Sequence, residues 1–421
     1  MMDTIFALSS GAPPAAIAVI RISGPAAANA LTALGGRLPA ARCAQTRTLY
    51  DAAGEKLDRA LVLWLPGPNT ATGEDVAELH LHGGRAVVAA VVRALGEVEG
   101  LRQAKAGEFT RRAFANGRID LSEAEGLADL LSAETELQRR TAMAMAGGAL
   151  SRQVDEWRAR VLELAAEVEA VLDFGDEDDV SILPEDFSAR TVLLAEEIAT
   201  WLARPRAEPL REGFRVVLAG PPNAGKSTLF NALVGQSAAI TAPSPGTTRD
   251  ILERPVAIDG VPFVFLDTAG LRDDADNEIE SEGIARAKAA FDTADLVLWL
   301  GEEGRGPDGS WEIDAKIDLG NHKCAAVSRV SAVTGVGVDE LSTKLIDRAR
   351  ETLPVPGQVA LNGRQHAILS EAHRALAEHH NDPLILAEYL RVVRTSFDRL
   401  TGRASPEDML DALFARFCIG K

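Results

Sequence analysis

Gly220, Gly225, Lys226 and Ser227 occupy the fixed positions of G-x-x-x-x-G-K-[ST], a spacing that cradles a polyphosphate. The two glycines let successive backbone N–H groups turn inward toward phosphate oxygens, and a helix starting at the loop adds the positive end of its dipole. In such a loop Lys226 bridges the β- and γ-phosphates and Ser227 holds Mg²⁺, with Asn223, Ala224 and Thr228 lining the same cradle. Residues 215–219 form a short apolar run suited to a buried strand, and residues 228–233 begin a helical pattern, so the motif sits in strand–loop–helix context. Downstream, residues 264–267 end an apolar strand in Asp267, followed by Thr268, Ala269 and Gly270. An aspartate there reaches Mg²⁺ through water, and the glycine N–H approaches the γ-phosphate. Thr248, inside Gly246-Thr247-Thr248-Arg249-Asp250, is expected to give the metal its second hydroxyl.

With Lys316 and Asp318, and then Ser331-Ala332-x-Thr334-Gly335, these motifs resemble, in order, the translation-factor-like small GTPases. In that pattern Asp318 accepts two hydrogen bonds from the guanine N1–H and 2-amino group; adenine would leave a buried carboxylate unpaired. Two departures stand out. Ala315 replaces the usual asparagine before Lys316, and only ten residues, 301–310, lie between the strand ending at Leu300 and Trp311. A parallel crossover normally takes a dozen or more residues with a helix, so one helix is expected to be missing. Leu271 follows Gly270 where many GTPases carry a water-orienting glutamine. Another group must organise hydrolysis, and Glu278, Glu280 and Glu282 follow shortly after.

The elements that must hold these residues can be read around them. A chain of 421 residues exceeds one ordinary core and predicts about two or three domains. Strand-like runs at residues 17–22, 60–65 and 76–81, a turn-rich loop PGPNTATGED and a helix at 86–95 predict an N-terminal α+β domain over residues 1–118. His80 and His82 alternate on one strand; without a third ligand they are expected to pack or hydrogen-bond. Ser122 and Glu125 form a capping-box pattern opening a helical domain over residues 119–210, with helices at 151–172 and 188–202 and a solvated acidic loop at 173–179. A nucleotide domain with a parallel sheet spans 211–352, and helices at 365–380, 383–401 and 405–417 return over 353–421. The nucleotide domain is thus expected as an insertion in one helical domain whose halves pack together. The fold class is multidomain α/β plus α.

A net charge of −18 argues against a broad basic surface for nucleic acid, so any RNA contact should be local or supplied by a partner. Cys43, Cys324 and Cys418 are widely separated and lack metal-ligand spacing, which fits a reducing cytoplasm. No basic leader precedes an apolar core, and no run reaches about 18 apolar residues; a cytoplasmic location without a membrane span is expected.

The outer motifs carry a closer resemblance. Asp3-Thr4-Ile5, Arg21-Ile22-Ser23-Gly24-Pro25, PGPNTATGED, His82-Gly83-Gly84, Gly107-Glu108-Phe109-Thr110-Arg111-Arg112-Ala113-Phe114, Asn116-Gly117-Arg118-Ile119-Asp120-Leu121 and Phe417-Cys418-Ile419-Gly420-Lys421 resemble the MnmE, or TrmE, family of tRNA-modification GTPases. The resemblance spans essentially the whole chain. It implies an N-terminal tetrahydrofolate-binding domain that also dimerises, a helical domain and an inserted G domain. It implies a homodimer that joins the flavoprotein MnmG, which carries FAD, in a heterotetramer. Together they would modify C5 of the wobble uridine, position 34 of certain tRNAs, adding an aminomethyl or carboxymethylaminomethyl group. The one-carbon unit would come from a 5-formyl or 5,10-methylene tetrahydrofolate. Arg21, Glu78 and Arg118 fall at folate-contacting positions and Lys421 reaches toward the same pocket; Arg118 stands where lysine is common, and Ala15-Ala16 shortens the family's Gly-Arg-Gly-Gly. K⁺ would act where other GTPases insert an arginine, bound by Asn223, the backbone oxygens of Ala242 and Ser244, and Thr247. Glu280 aligns with the glutamate that orients the hydrolytic water. Cys418, beside the Lys421 ammonium, would be a thiolate acting as nucleophile or base; a packed, inert thiol is the alternative.

Two other functions fit part of this pattern. A ribosome- or RNA-assembly GTPase would share the nucleotide motifs but is expected to carry a basic RNA-binding appendage. A folate-binding, aminomethyltransferase-like protein with a vestigial G domain would account for the shortened crossover.

Overall fold

The computed structural model describes residues 3–173, 182–235, 253–267, 290–320, 323–378, 380–404 and 407–421. Its contacts divide the chain into two units, residues 1–128 with 398–421, and residues 129–397.

In the first unit β1 (Thr4–Leu8), β2 (Ile17–Ser23), β3 (Gln45–Tyr50), β4 (Lys56–Leu65), β5 (Val76–His82) and β6 (Leu101–Gln103) make one sheet ordered β3-β4-β5-β2-β1-β6. Only the β1–β6 pairing is parallel among the described strands. Strand residues alternate between faces. Ala18, Ile20 and Ile22 of β2 and Ala77, Leu79 and Leu81 of β5 are buried in a core shared with Leu31 and Leu34 of the helix Ala27–Gly35 and Val91 and Leu95 of the helix Arg85–Gly96. The alternate residues Val19 and Arg21 of β2 and Glu78 and His80 of β5 are half-buried on the other face, where Ile17 and Leu61 are 60% and 39% exposed.

A smaller apolar cluster joins Phe114, Leu121 and Ala124 to Leu413, Phe414 and Phe417 of the C-terminal segment. The helix Leu121–Ser132 corrects the expected cap. Its capping box is Asp120 with Glu123, not Ser122 with Glu125: the Glu123 N–H donates to Asp120 Oδ1 at 2.8 Å, and the Asp120 N–H to Glu123 Oε2 at 2.8 Å. Two overlapping x-x-Glu patterns compete here, and Ser122 is taken out of the competition by burial, donating its hydroxyl to the Leu400 carbonyl at 3.0 Å.

In the second unit, helices from before and after the nucleotide domain pack on one another. Phe187–Leu202 lies against Gly363–Ala377, and Trp157 of the helix Ala149–Asp173 stacks on Phe397 and meets Trp201 edge-on, with centroids 6.0 and 5.6 Å away. Buried indole needs a partner for its N–H, and Trp157 Nε1 donates to Glu197 at 3.1 Å.

The nucleotide domain is a sheet of β7 (Phe214–Ala219), β8 (Glu253–Ile258), β9 (Val261–Asp267), β10 (Leu296–Trp299), β11 (Trp311–Asp314) and β12 (Ser328–Arg329), ordered β12-β11-β10-β7-β9-β8. The expectation of a parallel sheet needs one correction: β8 runs antiparallel to β9. Asp259 and Gly260, at φ 48° and 75°, form the two-residue turn that such a hairpin requires.

β10 and β11 are parallel, and residues 300–310 between them contain turns and no helix, as their length implied. The sheet face left without that helix is covered differently. The Trp299 ring lies so close to Gly301 and Gly306 that a Cβ on either would come within 2.5 and 2.8 Å of it, and its Nε1 donates to the Glu302 carbonyl. Beside it Lys323 Nζ donates to Glu312 at 2.7 Å, with both side chains largely buried, and the Lys323 N–H donates to the buried Asp314. A folded-over indole and a paired charge stand where an apolar helix face would pack.

Candidate functional site

The phosphate loop leaves the end of β7, whose Val216, Val217 and Leu218 are fully buried, and turns into the helix Lys226–Gly235. Gly220 has φ 147°, and a Cβ there would lie 3.0 Å from the Gly301 nitrogen, so glycine is needed for both conformation and space. Gly225 at φ 99° and Asn223 at φ 61° complete the turn; asparagine is among the few other residues that tolerate the left-handed region. Lys226 is buried and its Nζ donates to the carbonyls of Gly220 and Pro221, both at 3.0 Å. The ammonium is thereby held over the loop. Ser227 and Thr228 are exposed at the first turn of the helix, while Ala224 packs on the core.

The residues expected to read the base follow β11 and β12. The Val330 N–H donates to the Asp314 carbonyl at 2.8 Å, and Lys316 bridges Ser331, which puts residues 315–318 beside the turn at 331–335. Ser331 is buried, its hydroxyl accepting the Thr334 N–H at 3.2 Å, and Ala332 packs on the core. Lys316 Nζ donates to the Asn223 carbonyl at 2.6 Å, tying this turn to the phosphate loop. All these groups sit at the carboxyl ends of parallel strands, where open α/β sheets bind ligands. Asp318, in a short 3₁₀ turn at Ile317–Leu319, is exposed rather than buried. A bound base would itself have to bury it.

Ala242, Ser244, Thr247, Thr248, Thr268, Ala269, Gly270, Leu271, Glu278, Glu280 and Glu282 lie outside the described residues. Asp267 is described only by its backbone, which pairs with Leu218 at the end of β9.

The second cluster belongs to the first unit. Arg21 on β2 and Glu78 on β5 are register partners, and Arg21 Nε donates to Glu78 Oε1 at 3.1 Å. Arg21 also lies over the Phe109 ring, 5.9 Å from its centroid, at the start of the helix Glu108–Ala115. Just before that helix Ala106 forms an antiparallel bridge with Ile419. On its other side the tail is held by Ser9, whose hydroxyl donates to the Gly420 carbonyl at 2.8 Å. Gly420, at φ 96°, passes so close to β1 that a Cβ would lie 2.1 Å from the Leu8 carbonyl oxygen. These contacts fix the C-terminal segment at the end of β1, the strand that pairs with β2 and so with Arg21.

Within that segment Phe417 is the buried anchor at 4% exposure, whereas Cys418 is exposed. The thiol is therefore not packed into a core. Lys421 is half-buried, and its N–H donates to the Cys418 carbonyl at 3.2 Å. Arg118 is exposed and runs along Gly73 of the PGPNTATGED loop.

The histidines behave as hydrogen-bonding groups. His80 Nε2 contacts Glu78 Oε2 at 3.2 Å, and His82 Nδ1 contacts Asp58 Oδ1 at 2.7 Å. Burial raises the Asp58 pKa, but hydrogen bonds from the His82 N–H and ring and from the Arg59 N–H outweigh it and hold the carboxyl below its usual range. No group of three potential metal ligands occurs among the described residues. No described helix is long and apolar enough to cross a membrane. Sequence reasoning passed over Ser9 and Ala106 as supports of the tail and Phe109 as the ring against Arg21; the glycines of Phe417–Lys421 and of the Gly107-Glu108-Phe109 motif were the available signal.

Comparison with known proteins agrees with this assembly. The family model described as the MnmE helical domain matches residues 121–418, and the one described as the GTP-binding protein TrmE N-terminus matches residues 4–118. The chain is 63% identical over 437 residues to the tRNA modification GTPase MnmE of Novosphingobium aromaticivorans, covering 100% of both chains. It is 63% identical over 424 residues to that of Erythrobacter litoralis, again covering 100% of both. To that of Zymomonas mobilis it is 50% identical over 437 residues, also with 100% coverage of each. A phosphate loop on a mostly parallel sheet, an N-terminal α+β unit and helices on either side of the nucleotide domain, matched along the full length by such relatives, place this chain in the MnmE family of tRNA modification GTPases.

Proposed function

We propose that the chain hydrolyses GTP in a K⁺-stimulated manner and, with an MnmG-like flavoprotein carrying FAD, modifies C5 of the wobble uridine of certain tRNAs using a tetrahydrofolate one-carbon unit. The observation that carries this reading is the exposed Cys418 thiol in a tail that Ser9 and Ala106 hold at the end of β1, in the same sheet as the Arg21–Glu78 pair. The three-domain organisation, with a folate-binding and dimerising domain at residues 1–118, a helical domain at 119–210 and 353–421, and a G domain at 211–352, belongs to the same proposal. The open sheet face with Ile17 and Leu61 exposed and Val19 and Leu63 half-buried supports a homodimer through that domain.

The nucleotide site would act through Lys226 on the β- and γ-phosphates, Ser227 and Thr248 on Mg²⁺, and Asp318 on guanine. Ser227 suits Mg²⁺, a hard cation that takes oxygen ligands, since its hydroxyl is exposed at the mouth of the phosphate loop. Asn223, Ala242, Ser244 and Thr247 are assigned to K⁺; Asn223 is exposed at the head of the loop, where an amide oxygen can meet a cation near the phosphates. A cation there would supply the charge that stabilises the transferring phosphoryl group. Glu280 would orient the attacking water. In the first unit Arg21, Glu78, Arg118 and Lys421 would hold the folate, and Cys418 would serve as nucleophile or base on the uridine or the one-carbon unit.

GTP turnover is measured in K⁺ and in Na⁺ for the intact chain and for Asn223→Ala. The expected result is a rate in K⁺ at least about tenfold above that in Na⁺, lost in the variant, the scale of one electrostatic contact to the transition state. Equal rates in the two salts would count against the cation assignment.

A further inference from the structure

We infer that His80 is a positioning residue for the ligand of Glu78, fixing the carboxylate so that it recognises a ring N–H beside an exocyclic amine; this rests on the folate reading above and adds a residue to it. Glu78 has both oxygens engaged: Arg21 Nε donates to Oε1 at 3.1 Å, and His80 Nε2 meets Oε2 at 3.2 Å. A carboxylate only accepts, so the imidazole must place its proton on Nε2 and donate. Two donors on two different oxygens leave the carboxylate no freedom to rotate about its terminal torsion. A carboxylate has about four lone-pair sites, and two remain after these bonds. Parallel lone pairs on two oxygens match two adjacent N–H donors, the edge that a 2-amino-pyrimidinone ring presents.

The setting of His80 argues for this role over packing. Its register partners are Leu61 on β4 and Val19 on β2, so aliphatic side chains flank the ring on both sides. The His80 side chain is 28% exposed and that of Glu78 18%, on the sheet face opposite the helices Ala27–Gly35 and Arg85–Gly96. An imidazole kept between two aliphatic neighbours has its described polar contact in Glu78 alone. Hydrogen bonding on low-dielectric ground is where orientation of a charged acceptor has its largest effect.

The experiment uses the full chain and 5-formyltetrahydrofolate as the probe, with affinity read by calorimetry for wild type, His80→Leu and His80→Gln. Leucine fits the aliphatic flanks and removes the donor; glutamine restores an N–H at similar reach. His80→Leu is expected to weaken binding about tenfold or more, the usual cost of losing a hydrogen bond to a charged group, with His80→Gln close to wild type. If His80→Leu binds as tightly as wild type, or if His80→Gln is as weak as His80→Leu, the ring is not positioning Glu78. A wild-type chain that does not bind the probe overturns the folate reading itself, a separate outcome.

Discussion

Cys418→Ser is expected to abolish wobble-uridine modification, by roughly 10³-fold or more, while GTP hydrolysis stays at the wild-type rate. A thiol ionises within reach of neutral pH and is intrinsically nucleophilic; a serine hydroxyl in the same place needs an activating base. Cys418 is exposed and contributes nothing to the Phe417 anchor, so its replacement should cost little stability. Loss of modification in a folded, GTP-hydrolysing variant is then a chemical loss. The segment around it is rigidly placed by the Ala106 bridge and the Ser9 bond, which is what a nucleophile needs to meet a substrate atom repeatedly in one geometry. Modification retained in Cys418→Ser, assayed by nucleoside mass spectrometry, would move the chemistry to the partner flavoprotein.

Asp318→Asn is expected to weaken GTP by roughly 10²- to 10⁴-fold and to strengthen xanthosine triphosphate, because one of the two charged acceptors that receive the guanine N1–H and 2-amino hydrogens becomes a donor facing a donor. An asparagine offers one oxygen and one N–H₂, which suits the xanthine edge. The residue is exposed on a 3₁₀ turn, so the variant should fold as wild type, and the change should appear in competition binding between the two nucleotides. Unaltered GTP selectivity would show that the turn at Ile317–Leu319 is not the base reader. Ala315 sharpens this test. With alanine next to it, the base turn is tied to the phosphate loop through the Lys316 bond to the Asn223 carbonyl, so more of the discrimination should fall on Asp318.

Much of this architecture was legible before any coordinates. The phosphate loop could be read because glycine, lysine and serine at fixed spacing have one physical use between a strand and a helix. The helix Pro383–Thr401 has the bounds its apolar periodicity predicts, with proline at its first turn, and the ten-residue crossover told of a missing helix through chain length alone. What escaped depends on tertiary choices. Asp120-x-x-Glu123 and Ser122-x-x-Glu125 are equivalent as local patterns; the burial of Ser122 against Leu400 decides between them. β8, with Glu253, Arg254 and Pro255, carries a weak strand pattern and went unread, although the Asp259-Gly260 turn that sets its antiparallel course is a local signal. Asp318 was expected to be buried because a base would bury it; the fold alone leaves it in solvent. The sequence singled out His80 and His82 by their alternation, but only the structure shows His80 turned to Glu78, two residues before it on the same strand.

The central claim is that this chain serves wobble-uridine modification. It is tested most directly by nucleoside mass spectrometry of tRNA from a strain lacking it, with and without the intact chain restored. The account predicts that C5-modified wobble uridine disappears in the deletion and returns on complementation. An unchanged nucleoside profile in the deletion strain would contradict it.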